Sequence, residues 1–465
     1  MPVAGKWACL VAQSFPTSTH PRSAMAVGGE NGGHQNGQNG ESNGNSNGVD
    51  HHIRYIPLPY TTSEFNDSAL RLVLAVRPQW ADAGSSVEFV RFTDGITNTL
   101  LKAVNKKAGL SKDEVDKEAI LLRAYGNGTD LIIDRHRETQ NHELLMKHGL
   151  APELLGRFEN GMLYRFVQGT VTQPEDLRKP TIYKAVAHRL AQWHAVVPCI
   201  PGRTGHSRKG SKTEACTGPA GALGDAEFQH ALDQVAPGKP PPNVWTVMQK
   251  WIFALPTETE IQRARQAELQ RELTGLVAEL SQRPGLGVNG LVFAHCDLLS
   301  GNVIVLPKSH ATTSEKTAET VTFIDYEYAT PSPAAFDIAN HFAEWGGFDC
   351  DYSVLPTRSQ RREFVTEYIH AYFSMLREQP SAPVDKAAEV EKLLAEVDVF
   401  RGLPGFYWGI WALIQATISE IDFDYATYAE TRLGEYYAWR GEQSGSGQSS
   451  GQEIPLRERR WAQEE

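Results

Sequence analysis

The sequence predicts an α+β protein of two lobes, the first rich in β-strands and the second mainly helical, and three observations carry that reading. Short runs of apolar and β-branched residues bounded by turn residues crowd together early, at residues 87–92, 99–104, 119–125 and 161–167. From residue 181 the apolar residues recur mostly at helical spacing instead. Within that helical part, a polar loop at residues 295–302 stands between a buried strand end and a hairpin. A chain of 465 residues exceeds one typical domain of ~100–200 residues, and two lobes with tails account for it. The expected division is a disordered tail at 1–53, an N-lobe at 54–163, a hinge and C-lobe at 164–440 with a surface insertion at 201–242, and a second disordered tail at 441–465.

The first 50 residues include a Gly/Asn-rich run that cannot bury enough apolar surface to offset its ordering entropy. Residues 1–29 lack acidic residues but are poor in Arg, which favours a dispensable tail over a transit peptide. Residues 63–76 follow as a helix capped by Ser63 or Glu64 and ended before Pro78. Two strands flank the turn at 93–98, where Gly95 permits close backbone approach and Thr97 and Asn98 can donate hydrogen bonds. Arg123 lies inside the apolar run at 119–125, where an unpaired guanidinium is costly, and Glu138 at the start of the next helix is its expected partner. Residues 161–167 form a strand that Gln168-Gly169 breaks. Ile182, Val186, Leu190, Trp193 and Val197 share one face of a C-lobe core helix on which His188 and His194 are structural. Further helices are expected at 245–254 and 257–281, and 308–319 is a polar hairpin tip.

Composition limits the function. No run approaches the ~20 apolar residues of a membrane helix, and a net charge of -11 disfavours nucleic acid as a partner. Five cysteines are scattered without C-x-x-C spacing, which argues against disulfides or a zinc site and for a reducing cytoplasm.

The chemistry is expected at 291–302, LVFAHCDLLSGN, and at 321–328, VTFIDYEY. If 302–306 and 321–325 pair as an antiparallel hairpin, Asn302 and Asp325 come together, and their oxygens beside Asp297 suit Mg²⁺. H-x-D-x-x-x-x-N followed by two strands and I-D is the arrangement of the protein-kinase catalytic loop, with Asp297 as base, His295 organising the catalytic loop and Asn302 and Asp325 as metal ligands. On the helix after Pro333, Asp337, His341 and Glu344 share a face, with Asp337 expected either to cap that helix or to anchor the loop through backbone N–H groups. Trp408 and Trp411, one turn apart, form either core or a cation–π wall.

The stretch IDYEYATPSPAAFDIANHFAEW, with HCDLLSGN before it, closely resembles the signature of the choline/ethanolamine kinase family, and the likeness extends with gaps from about Gly95 to about Tyr437. Leu298-Leu299 resembles the ethanolamine branch rather than the choline branch. The resemblance implies a protein-kinase-like two-lobe fold, ATP and Mg²⁺ as cofactors, and a small amino alcohol as substrate, phosphorylated on its hydroxyl in the first step of the CDP-ethanolamine route. It places the phosphate loop at Gly95, Thr97 and Asn98, Arg123 with Glu138 at the nucleotide phosphates, and the backbone of Arg165 and Val167 at adenine. It also implies Glu344 as the ammonium-binding carboxylate, walled by Trp408, Trp411 and Tyr428. Cys296 stands where the family usually has Asn. A choline kinase, an aminoglycoside-type phosphotransferase and a catalytically silent relative are the competing readings, and a homodimer is left open.

Overall fold

The computed structural model describes residues 53–92, 98–107, 109–126, 128–199, 230–308, 319–419, 421–443 and 453–465. The expected phosphate turn at 93–97, with Gly95 and Thr97, lies outside the described residues, as do residues 1–52, most of the insertion and most of the polar hairpin tip.

Two separate apolar cores make the two lobes. In the first, strands β1 (Tyr55–Ile56), β2 (Ser86–Phe92), β3 (Asn98–Lys106), β4 (Ile120–Tyr125), β5 (Leu154–Phe158) and β6 (Gly161–Arg165) form one sheet in the order β1-β5-β6-β4-β3-β2. Strand alternation puts Leu101 and Ala103 of β3 and Leu122 and Ala124 of β4 on the face that meets Leu72 and Val73 of α1 (Phe65–Val76). Helix α1 has Glu64 as its N-cap without a side-chain hydrogen bond, so neither Ser63 nor Glu64 caps it as expected. Helix α2 (Lys112–Glu118) is held at its start by a Ser111/Glu114 capping box. Helix α3 (Arg135–Lys147) begins at Asp134, whose carboxylate accepts from the Arg137 N–H at 3.0 Å, and its first turn delivers Glu138 to the inside.

The second lobe is built around α4 (Pro180–Val196), α5 (Val244–Phe253), α6 (Glu260–Leu280), α7 (Ala334–Ala343), α8 (Arg358–Met375), α9 (Lys386–Phe400), α10 (Leu403–Ile418), α11 (Tyr425–Gln443) and α12 (Leu456–Ala462). Small sheets β10-β9-β7 and β11-β8 lie at its centre, made of β7 (Thr170–Val171), β8 (Val292–Ala294), β9 (Val303–Val305), β10 (Val321–Phe323) and β11 (Thr330–Ser332). Trp193 of α4 is fully buried and its ring meets Phe293, His295, Phe323 and Tyr326, forming a floor beneath the catalytic loop. Helices α10 and α11 approach so closely that a Cβ at Gly405 would lie 2.5 Å from the Arg432 carbonyl oxygen.

The expectation of a disordered tail at 441–465 is corrected. Residues 441–443 end α11, and α12 docks with Arg457, Glu458 and Trp461 all buried. Trp461 donates from Nε1 to Asp398 at 2.7 Å, and the Arg361 guanidinium stacks 4.0 Å from its ring centroid. Arg457 and Glu458 of this segment are therefore paired rather than solvated.

Candidate active site

The loop after β8 is held from behind by one buried carboxylate. Asp337, in the first turn of α7, accepts the backbone N–H of His295 at 2.9 Å and of Cys296 at 2.8 Å, and pairs with His194 Nε2 at 2.9 Å. Burial raises its pKa, but His194 and the loop N–H groups outweigh that and hold it below the usual carboxylate range. Asn340 donates to the Cys296 carbonyl at 3.0 Å, and His341 Nδ1 donates to the Leu298 carbonyl at 2.8 Å. These anchors stabilise a backbone that few residues adopt. Cys296 has φ 64° and Asp325 φ 59°, both left-handed without being glycine. Asn tolerates that conformation better than Cys, which gives a physical reason for the Asn usual in the resembled family.

His295 is fully buried, donates from Nε2 to the Ile324 carbonyl at 3.1 Å and accepts the Asp297 N–H at Nδ1 at 3.3 Å. Desolvation lowers its pKa to about 4, so it is neutral. Its place in the candidate catalytic set is corrected to a positioning one, because both nitrogens are used inside the protein.

The hairpin delivers what its pairing promises. Phe323 lies opposite Val303, and the Ile324 N–H donates to the Asn302 carbonyl at 3.0 Å, which brings Asp325 beside Asn302. Asn302 Nδ2 donates to the Asp297 carbonyl at 2.8 Å and to its carboxylate at 3.0 Å. Asp297 is 8% exposed, and burial, followed by the charges of Asp325, Glu344 and Glu327, pushes its carboxyl well up.

Arg123 is paired with Glu138 at 3.1 Å as expected, and also with Asp325 at 2.8 Å and with Glu327. Arg135 bridges Glu138 at 3.0 Å and Glu327 at 3.1 Å. Two guanidiniums, Arg123 and Arg135, thus face three carboxylates, Glu138, Asp325 and Glu327. Among the described residues no group of three or more His, Cys, Asp or Glu side chains is gathered as a metal cage; the oxygens of Asn302 and Asp325 are of the hard kind that a divalent cation such as Mg²⁺ takes together with substrate phosphates. Glu327 and Arg135 were not anticipated. Glu327 stands two residues after Asp325 and Arg135 three before Glu138, spacings that could have flagged them.

Two other expected residues are placed differently. The Asn98 side chain, at the start of β3 rather than in the turn, donates to Glu327 at 3.1 Å. The Arg165 N–H donates to the Glu153 carbonyl at 2.9 Å, so it is not available to adenine; β6 ends at Arg165, and Val167 follows it.

Around Glu344 the arrangement is partly as expected. Its carboxylate is 5% exposed and pairs through Oε1 with Arg432 at 3.1 Å, a partner not read from the sequence. Trp408 and Trp411 meet edge to face at 5.4 Å, with Trp408 donating to Asn340 at 2.8 Å and Trp411 to the Tyr328 hydroxyl at 2.8 Å. Tyr428 lies apart from that pair, 5.7 Å from the Arg432 guanidinium, and Phe423 and Tyr425 link the two groups.

A family model described as choline/ethanolamine kinase matches residues 89–437. "Ethanolamine kinase 1" of Mus musculus is 33% identical over 387 residues, covering 81% of this chain and 90% of its own length. "Ethanolamine kinase 2" of Homo sapiens is 31% identical, covering 83% and 84%. Among solved structures, a Plasmodium vivax ethanolamine kinase superposes with a TM-score of 0.58 at 24% identity, covering 81% of this chain and 89% of its own. A Cryptosporidium parvum choline kinase does so at 0.54 and 20%, covering 84% and 99%. The solved structures show the shared fold.

Proposed function

The chain belongs to the choline/ethanolamine kinase family, and from that premise we propose that it transfers the γ-phosphoryl group of ATP to the hydroxyl of ethanolamine. The observation that supports this reading best is the joining of the catalytic loop to the hairpin: Asn302, beside Asp325, donates to the Asp297 carboxylate at 3.0 Å, and the negative charges of Asp325 and Glu344 both act on Asp297. Asp325 suits a metal-bound phosphate and Glu344 an ammonium group.

In this account Asp297 accepts the hydroxyl proton and orients the attacking oxygen. Phosphoryl transfer demands little covalent work of the protein, so alignment and charge stabilisation dominate. Asn302 and Asp325 are the residues to hold Mg²⁺, which supplies positive charge against the phosphate oxygens. Arg123, fixed by Glu138, orders Asp325 and Glu327 and steadies the phosphate side. Glu344 binds the substrate ammonium through charge-assisted hydrogen bonds, beside Trp408, Trp411 and Tyr428. Positive charge placed against Glu344 or Asp325 would offset the two carboxylates that push the Asp297 carboxyl up, and so would favour its ionised, proton-accepting form.

The product, phosphoethanolamine, enters phosphatidylethanolamine synthesis by the CDP-ethanolamine route. We place the reaction in the cytoplasm, in keeping with unpaired thiols at Cys199, Cys296 and Cys350. Among the described residues no helix is long and apolar enough to cross a membrane. The purified chain incubated with ATP, Mg²⁺ and ethanolamine should form ADP and phosphoethanolamine in equal amounts by ³¹P NMR. ADP formed without phosphoethanolamine, or no turnover at all, overturns the proposal.

A further inference from the structure

We infer that the C-terminal segment, residues 453–465, positions the substrate's cationic end through an alternating chain of buried charges that runs from Arg457 to Glu344. The inference rests on the reading of Glu344 as the ammonium site, and the segment itself lies beyond the residues matched by the family model, 89–437. From Glu344 the chain passes to Arg432 at 3.1 Å and from Arg432 to Glu435 at 3.5 Å. It continues from Glu435 to Arg457 at 3.7 Å and from Arg457 to Glu458 at 2.8 Å. Arg401 closes it, pairing with Glu458 at 2.9 Å and with Glu442.

From Glu344 to Glu458 no side chain is more than 5% exposed. Solvent therefore screens these charges weakly, and each depends on its neighbours. Arg432 is shared between two carboxylates, Glu344 and Glu435. Arg457 supplies Glu435 with its second cation and so leaves Arg432 available to Glu344. Without Arg457, Arg432 is the one cation left on Glu435 among the described residues, beside the neutral Tyr352 hydroxyl, and Glu344 loses part of its hold on the guanidinium that fixes its Oε1. Burial pushes the Glu344 carboxyl up while Arg432 opposes that shift, so a weakened pair favours the neutral acid, which cannot bind an ammonium by charge.

Independent contacts dock the same segment. The Trp461 carbonyl accepts from Arg361 at 2.9 Å, and the Gln463 and Glu464 carbonyls accept the N–H groups of Arg358 and Ser359 at 2.9 and 3.0 Å. Docking and charge relay can therefore be separated by mutation.

The test is steady-state kinetics on the full chain with ATP and ethanolamine varied separately. Arg457→Met is expected to raise the KM for ethanolamine by about fivefold or more while leaving the KM for ATP and kcat nearly unchanged, and Arg457→Lys to restore most of the loss. Should Arg457→Met not fold, Arg457→Gln, which keeps a hydrogen-bond donor without the charge, is read for the same split. Trp461→Phe is expected to lower the Tm without moving the KM for ethanolamine. An Arg457→Met protein that raises both KM values alike, or that only loses Tm as Trp461→Phe does, overturns the relay. Glu344→Gln run alongside tells the two ideas apart. If it raises the KM for ethanolamine while Arg457→Met does not, the relay fails and the ammonium site stands. If Glu344→Gln leaves that KM unchanged, the ammonium reading fails and the relay with it.

Discussion

Truncation after residue 452 removes a helix that the linker-like composition ahead of it conceals. It deletes the Trp461 side chain from a buried contact with Phe342 and Arg361, a loss of the kind that costs about 3–5 kcal/mol for a core Trp. It also strips Glu458 from Arg401, Arg457 from Glu435 and the Trp461 carbonyl from Arg361. Leaving buried polar groups without partners adds about 1–3 kcal/mol each, although repacking and water entry recover part of this. A net destabilisation of at least ~5 kcal/mol follows, and at about 2–4 °C per kcal/mol for a lobe of a few hundred residues this is a fall in Tm of roughly 10 °C or more. Differential scanning calorimetry of the full and truncated chains measures it. A truncated chain that melts within about 2 °C of the full one would refute the claim that these contacts are part of the C-lobe core.

Replacing the proposed base, Asp297→Asn, should lower kcat by about 10²–10⁴-fold with the KM for ATP little changed; a folded variant retaining most of its turnover removes Asp297 from that role. Asp325→Ala and Asn302→Ala should each raise the Mg²⁺ concentration needed for half-maximal rate, and a titration identical to wild type in both contradicts their assignment as ligands. Acid should destabilise the fold through three buried histidines, His142, His295 and His341, which desolvation holds at about 4. Between pH ~6.5 and 4 the unfolded chain binds protons that the folded one refuses, so stability is complete above the window and falls as pH drops through it; at pH 5 the loss is about 2 kcal/mol per histidine. Urea unfolding at pH 7 and pH 5 measures this, and equal free energies at the two pH values contradict it.

Much of this site was legible because local rules placed it. Strand alternation and antiparallel pairing brought Asn302 to Asp325, and the cost of a buried guanidinium predicted a carboxylate for Arg123. An Asp in a first turn seeks N–H donors, which left helix capping and loop anchoring both open for Asp337, and the structure shows the second. The rest depended on contacts across long separations. Arg432 reaches Glu344 across 88 residues, and nothing in the polar sequence around it announces a buried cation. The C-terminal helix was misread for the same reason. The stretch LRERRW after a Gly/Ser/Gln run looks solvated, yet two of its charges, Arg457 and Glu458, are buried against Glu435 and Arg401, which only the tertiary structure brings near. His295 was read from its motif as an organiser of the loop, and its burial and the use of both ring nitrogens inside the protein suit that task.

The central claim is that Glu344 and Asp297 together select and activate a primary amino alcohol. Its most direct test is kcat/KM for ethanolamine and for choline, measured side by side on the wild-type chain and on Glu344→Gln. A primary ammonium donates three N–H bonds and depends on the carboxylate, whereas a quaternary one donates none and relies on aromatic faces. Wild type should therefore prefer ethanolamine, and Glu344→Gln should lose about 10-fold or more on ethanolamine, the equivalent of one charge-assisted hydrogen bond, with a smaller loss on choline. A wild-type preference for choline, or equal losses on the two substrates, would contradict it.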